Sequence, residues 1–383
     1  MRIALPVLAG LALLRFGFEL WRLLSEPGSF GSNDLFARYG ETQRWFADDP
    51  VYTSRAHAGY PPASYVLLWP LLGWLPWTSA RLLWAGLNTC VLALGMAFLV
   101  RQSGADKRQE RVAFALALLA AYPLPITLGN GQLGILTVTA TIAGILLLDR
   151  RGPPSWRRDG LATALFLFAL IKPSLTAPFL LLVPLRTARL RPVVVLVLGY
   201  AALTALAMSY RSRPLLAELA ALAEVSARVA ARSGHAHLPL WLGALGLGAW
   251  HGLATLLVLL ALGLWIERNR GAALWPVLGV TTIVARLASY HRVYDDSLVL
   301  LALVALCRLA KQAARSGRRD AVAETLFLLV WIPLLLPATW STMALPWSLV
   351  HQGLAPAAWL ATAVYLAERC RRERAPTPAG AGE

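Results

Sequence analysis

The chain has 383 residues, of which 57% are hydrophobic and 15% charged, with 15 Trp. That is more apolar surface than one water-soluble core can hide, so the composition excludes an ordinary soluble domain and points to lipid as the solvent. The formal charge of +16 would suit a nucleic-acid partner, but most Lys and Arg residues stand in short clusters between apolar runs of about 16–25 residues, where they read as topology signals.

In chain order, the apolar windows predict spans at 3–24, 78–100, 111–127, 132–148, 160–172, 174–186, 192–209, 240–266, 272–288, 294–309, 321–338 and 350–367. Several fall short of the roughly 20 residues that a perpendicular helix needs, which predicts broken or partly buried segments inside a bundle. Arg2 precedes the first window, Arg15 interrupts it and no small-residue cleavage site follows, so it is read as a span and not as a signal peptide. Arg15 and Glu19 stand four apart on one helix face and are expected to pair. With the N-terminus in the cytoplasm, the basic clusters at 101–111, 150–158, 186–191, 268–270, 308–319 and 369–374 all fall on that side.

The resulting expectation is an all-α polytopic protein of a bacterial-type inner or plasma membrane, with both termini cytoplasmic. Residues 1–368 would form one transmembrane domain of about 12 spans. Its long outer loops would be 25–77, carrying short helices, and 210–239; a basic, then Pro/Gly-rich tail follows at 369–383. Outer loops held on one side of a bundle are where a substrate can be bound.

Candidate residues lie along those outer segments. Asp34, just past the first span, could take a proton from a hydroxyl as general base, or Asn33 or Asp34 could simply cap the helix that follows. Tyr60-Pro61-Pro62 sets an extended corner before an apolar stretch, 63–75, too short to span. In Gly129-Asn130-Gly131-Gln132 the glycines allow a sharp reversal, and Asn130 and Gln132 offer amides to a ligand or merely shape a turn. Lys172, ahead of Pro173 at the end of an apolar run, could bind a phosphate or snorkel to the interface.

The most polar turn contains Arg286, Ser289, Tyr290, His291, Arg292, Tyr294, Asp295 and Asp296. Arg286 needs a partner in the membrane, either a phosphate or the two aspartates of an internal ion-pair network. Adjacent aspartates on a helix point about 100° apart and seldom share one ion, so a metal is not expected. Neither the pair His235 and His237 nor the scattered Cys90, Cys307 and Cys370 has the spacing of a metal site or a disulfide framework. The stretch 215–231 reads as an Ala/Leu-rich amphipathic helix along the membrane surface, with Glu218, Glu224, Arg228 and Arg232 on its polar positions.

As a set, the early Asp34, the Tyr60-Pro61-Pro62 corner, the Gly-Asn-Gly-Gln turn, Lys172-Pro173 and the Tyr-rich acidic turn resemble glycosyltransferase family 87 from about residue 5 to residue 310. The resemblance implies a GT-C-type helical bundle with its active site on the non-cytoplasmic side. It also implies transfer of a hexose, with mannose favoured, from a polyprenyl-phosphate-sugar donor to a lipid or glycan acceptor among membrane lipids. On this resemblance Asp34 matches the first-loop base, and Lys172, His291 and Arg292, with Arg286, match the surroundings of the donor phosphate. Asn130, Gln132, Tyr60, Tyr290, Asp295 and Asp296 become possible substrate contacts. The reaction implied is an inverting transfer that needs no cofactor. One departure is the pair Asp295-Asp296 where a single acidic residue is expected, and the chain after 310 matches little beyond its hydrophobicity. Twelve spans would also suit a transporter, or a flippase or ligase of lipid-linked glycans. The absence of a convincing internal repeat and the gathering of polar residues at one face weigh against a carrier.

Overall fold

The computed structural model describes residues 4–25, 31–53, 59–149, 155–232, 234–337, 339–340, 343–345 and 348–374. Arg2, Arg150, Arg151, the side chain of Arg232, parts of the expected first outer loop and the tail beyond 374 lie outside them.

Among the described residues every regular element is helical. The order is α1 (Ala4–Leu24), α2 (Asn33–Phe46), α3 (Pro62–Leu68), α4 (Trp77–Gln102), α5 (Arg108–Ala120), α6 (Pro123–Gly129), α7 (Gly134–Asp149), α8 (Trp156–Ala169) and α9 (Pro173–Leu180). There follow α10 (Leu182–Thr187), α11 (Leu190–Met208), α12 (Leu215–Arg232), α13 (Leu238–Ala244), α14 (His251–Arg268), α15 (Leu274–Ala288), α16 (Leu300–Arg315), α17 (Ala321–Leu334) and α18 (Ala355–Arg374).

Among the described residues, five helical segments are long and apolar enough to cross a bilayer: Ala4–Leu24, Trp77–Gln102, Leu190–Met208, Gly248–Arg268 and Val293–Arg315. A sixth is added if α5 and α6, bent by 54° at their junction, form one broken span. The bend sits at Pro123, which has no N–H to continue the ladder. The chain is thus a multi-pass membrane protein. Among the described residues each apolar window is largely helical, but α7, α15 and α17 are short. α15 shows why. Every one of its residues except Val284 is buried, so it is apolar all round because it is the core of the bundle, packed on α9, α16 and α18. By contrast α11 and α14 leave Leu, Val and Leu-rich faces exposed, as helices solvated by lipid chains do.

Two expectations for the first span and the outer helix are corrected. Glu19 pairs with Arg22 at 2.6 Å, not with Arg15. Arg15 instead donates to the backbone carbonyls of Ala120 and, at 2.6 Å, Leu335, because the C-terminal ends of α5 and α17 leave carbonyl groups without helical partners. Glu218 does not lie on a solvated face of α12: it is buried and bonded to Arg211 Nη2 at 3.0 Å. Arg211 also donates to the Asp49 carbonyl at 2.9 Å, and Arg228 to that of Thr53 at 3.2 Å. Those bonds dock α12 onto the segment that follows α2.

Candidate active site

The first wall of the site is α2, and its position is set by the glycine turn after α6. Asn130 accepts a hydrogen bond from Leu35 N at 3.2 Å through its carbonyl, and its side-chain oxygen accepts one from Arg22 Nη2 at 3.0 Å. Gly131 has φ +67°, and a Cβ there would stand 2.4 Å from Leu35 Cβ; only glycine allows both the left-handed backbone and this approach. Ser32 holds the N-cap position of α2 in the left-handed region. Asp34 is in the first turn and makes no capping bond. It is half-buried and, among the described residues, its carboxylate makes no hydrogen bond or ion pair.

Asp34 faces a cavity of about 510 Å³. One side of it is polar: Asp34, Arg38, Tyr60, Gln132, Lys172, Tyr290, Arg292, Tyr294 and Asp295. The other is mostly apolar, made by Leu222, Ala223, Ala227, Val229 and Ala230 of α12 with Pro239 and Gly252. A polar pole facing an apolar wall suits a ligand with a charged or sugar head and a hydrocarbon body.

Asp295 organises the polar side. It starts in the 3₁₀ turn Val293–Val299 ahead of α16 and is reached from three directions. Lys172 Nζ lies 2.7 Å from its Oδ1, His291 Nδ1 is 3.4 Å from its Oδ2, and Arg292 N donates to it at 3.1 Å. Lys172 also reaches Gln132 Oε1 at 3.4 Å and lies 5.1 Å from the centre of the Tyr294 ring. Arg38, one helical turn after Asp34, is buried, pairs with Glu41 and lies 4.5 Å from the Tyr60 ring centre. Burial raises the Tyr60 phenol above its ordinary value, with Lys172 and Arg38 opposing, so it stays a neutral hydrogen-bonding group.

Arg292 differs from the other cations. Its Nε donates to Tyr290 Oη at 2.6 Å, and among the described residues it has no carboxylate partner, whereas Arg38 has Glu41 and Lys172 has Asp295. A guanidinium left without a carboxylate in a half-buried cavity is the natural seat for an external anion.

Of the residues singled out from the sequence, the fold brings Asp34, Tyr60, Gln132, Lys172, Tyr290, Arg292 and Asp295 to this cavity. It takes four others elsewhere. Arg286 is fully buried behind the polar turn, paired with Asp296 and bonded to the His235 carbonyl at 3.2 Å, with His235 Nε2 in turn 3.2 Å from Asp296 Oδ2. This is the internal ion-pair network that the sequence left open beside phosphate binding, so Arg286 does not reach the cavity as a phosphate ligand nor Asp296 as a substrate contact. The reason is that consecutive residues of a tight helical turn point apart, and only Asp295 of the pair faces forward. His291 is buried, with its Nε2 3.0 Å from the Ala285 carbonyl, and supports Asp295 from behind. Burial lowers its imidazole below the ordinary value, against the opposing pull of the Asp295 carboxylate beside Nδ1. Asn130 does its bonding to α1 and α2 and not to the cavity. Arg38, to which the sequence assigns no role, and Tyr294, read there only as part of the polar turn, also line the cavity; Arg38 sits at i+4 from Asp34 on the same helix face, a spacing visible in the sequence. Among the described residues no group of three or more His, Cys, Asp or Glu side chains is placed to hold a metal ion.

A model of glycosyltransferase family 87 matches residues 59–310. The match begins later than the resemblance suggested, so Asp34 and α2 lie outside it. No curated protein and no solved structure matches the chain.

Proposed function

Since the chain belongs to glycosyltransferase family 87 and is a membrane glycosyltransferase with sugar donor and acceptor substrates, we propose that it transfers a hexose, mannose in the first instance, from a polyprenyl-phosphate-sugar to a lipid or glycan acceptor. The observation that carries this reading is Arg292, the cavity cation without a carboxylate, on the same polar wall as the unengaged carboxylate of Asp34. The donor phosphate would sit on Arg292, with Lys172 beside it, and the polyprenyl chain would run along the apolar wall of α12. The reaction is a single inverting displacement. The acceptor hydroxyl gives its proton to Asp34 as its oxygen bonds to the anomeric carbon, while the bond from that carbon to the phosphate oxygen breaks on the opposite face. The polyprenyl phosphate leaves as an anion, so the step needs positive charge at Arg292 and Lys172 rather than a general acid or a metal. The same reading takes the bundle as a GT-C fold of about 12 spans with the Asp34 cavity on the non-cytoplasmic face of the plasma or inner membrane and both termini in the cytoplasm.

The test is transfer of radiolabel from polyprenyl-phosphate-mannose into a membrane lipid extract by the purified protein in nanodiscs, compared with Arg292→Met. Labelled product from wild type, with a raised donor KM in the variant, supports the proposal. Transfer from polyprenyl-phosphate-glucose alone would change the sugar. Transfer from a nucleotide sugar but from no polyprenyl phosphate would overturn the donor.

A further inference from the structure

A second pocket lies at the far end of the bundle, between the C-terminal end of α16, the start of α17 and the last turns of α18, with a volume of about 560 Å³. α16 begins beside the polar turn of the Asp34 cavity and has 16 residues, which at 1.5 Å each puts the two pockets about 24 Å apart, close to the thickness of a bilayer core. We propose that this pocket holds the phosphate headgroup of an anionic phospholipid from the leaflet opposite the Asp34 cavity.

Charge and its distribution support this. Arg318, Arg319, Arg369 and Arg372 line the pocket against only two carboxylates, Asp320 and Glu368. Both carboxylates are already engaged. Asp320 accepts from Ala323 N at 3.1 Å and from the Tyr365 hydroxyl at 2.5 Å, and Glu368 is held by Arg371 at 2.7 Å and Arg372 at 2.9 Å. Arg319 turns to Glu324 at 2.7 Å. The guanidinium of Arg318 has no ion-pair or hydrogen-bond partner among the described residues, so the pocket keeps an excess of positive charge with one unclaimed fork. Two oxygens of a phosphate fit such a fork.

The surroundings favour a lipid as the bearer of that phosphate. α17 and α18 pack together, and their outward faces continue from the pocket as exposed apolar stripes, Val322 and Leu329 on one and Leu360 and Val364 on the other. A headgroup among the arginines would place its acyl chains along these stripes. Basic pockets between transmembrane helices bind anionic headgroups in this way. A free phosphate would share the arginines but gain nothing from the apolar stripes.

The experiment uses the full chain in nanodiscs of phosphatidylcholine with and without phosphatidylglycerol, with retained lipid read by native mass spectrometry. Wild type is expected to keep phosphatidylglycerol. Arg318→Gln, which breaks no side-chain bond among the described residues, should weaken retention about fivefold, and Arg318→Gln with Arg372→Gln about thirtyfold, at the usual worth of a cation near an anionic headgroup. Arg101→Gln with Arg108→Gln removes the same charge from exposed positions outside the pocket and should leave retention unchanged. Equal losses in both double variants would mean diffuse surface attraction and overturn the site. Protection of wild type from thermal unfolding by inorganic phosphate as strong as that by phosphatidylglycerol would overturn the lipid.

Discussion

Replacing Asp34 by Asn and Asp295 by Asn separates two carboxylates that share one cavity. Asp34 makes no hydrogen bond or ion pair among the described residues, so its near-isosteric amide breaks nothing, and thermal stability should move by less than about 0.5 kcal/mol. If it is the base, the chemical step loses what a positioned base contributes, roughly 10²–10⁴ in rate, or about 3–5 kcal/mol of barrier, with donor KM little changed. Asp295 is the opposite case. Its side chain is almost fully buried against Lys172, His291 and the Arg292 amide. Removing its charge leaves the Lys172 ammonium, only 12% exposed, with a distant Gln132 oxygen. Breaking a buried pair in this way costs roughly 3–5 kcal/mol of stability. The assay is initial rate of label transfer against donor concentration, alongside tryptophan-monitored unfolding in detergent. If Asp34→Asn turns over at the wild-type rate, Asp34 is not the base. If Asp295→Asn is as stable as wild type but inactive, the base belongs at Asp295 and the argument from pairing fails.

Other consequences are open to measurement. Arg286→Gln should destabilise by roughly 3–5 kcal/mol, and much of that should return in the double variant with Asp296→Asn; a stable single variant with lost donor binding would restore Arg286 as a phosphate ligand. Gly131→Ala must relieve a 2.4 Å approach to Leu35 and a φ of +67°. It should shift α2 and slow transfer by up to about 10²-fold while donor KM holds, and an unchanged rate would show that α2 does not carry the reacting group. His291 is lowered by burial, so below its ordinary value of 6.5 the unfolded chain binds the proton first. Stability should therefore fall as pH drops through and below that value, down to the lowered folded value, and be regained above it. His291→Gln should flatten that slope, and an identical pH dependence would assign it to other groups.

Composition and periodicity were enough for the all-helical membrane class, because apolar helices solvated by lipid must show their hydrophobicity along the chain, as α4, α11 and α14 do. The same logic could not count the crossings. α15 is equally apolar for a different reason, burial in protein on all sides, and a hydropathy window does not distinguish protein from lipid as the apolar neighbour. In the site, types and order were legible in Asp34, Lys172 and the turn from Ser289 to Asp296, since charged groups beside apolar runs need a purpose. Direction was not. Which of two adjacent aspartates faces the cavity, which arginine is already matched by a carboxylate, and that Glu19 reaches Arg22 while Arg15 caps a bent helix are set by side chains arriving from other helices. An ion pair belongs to two distant stretches of chain, so only the tertiary structure decides which charges are left for a substrate.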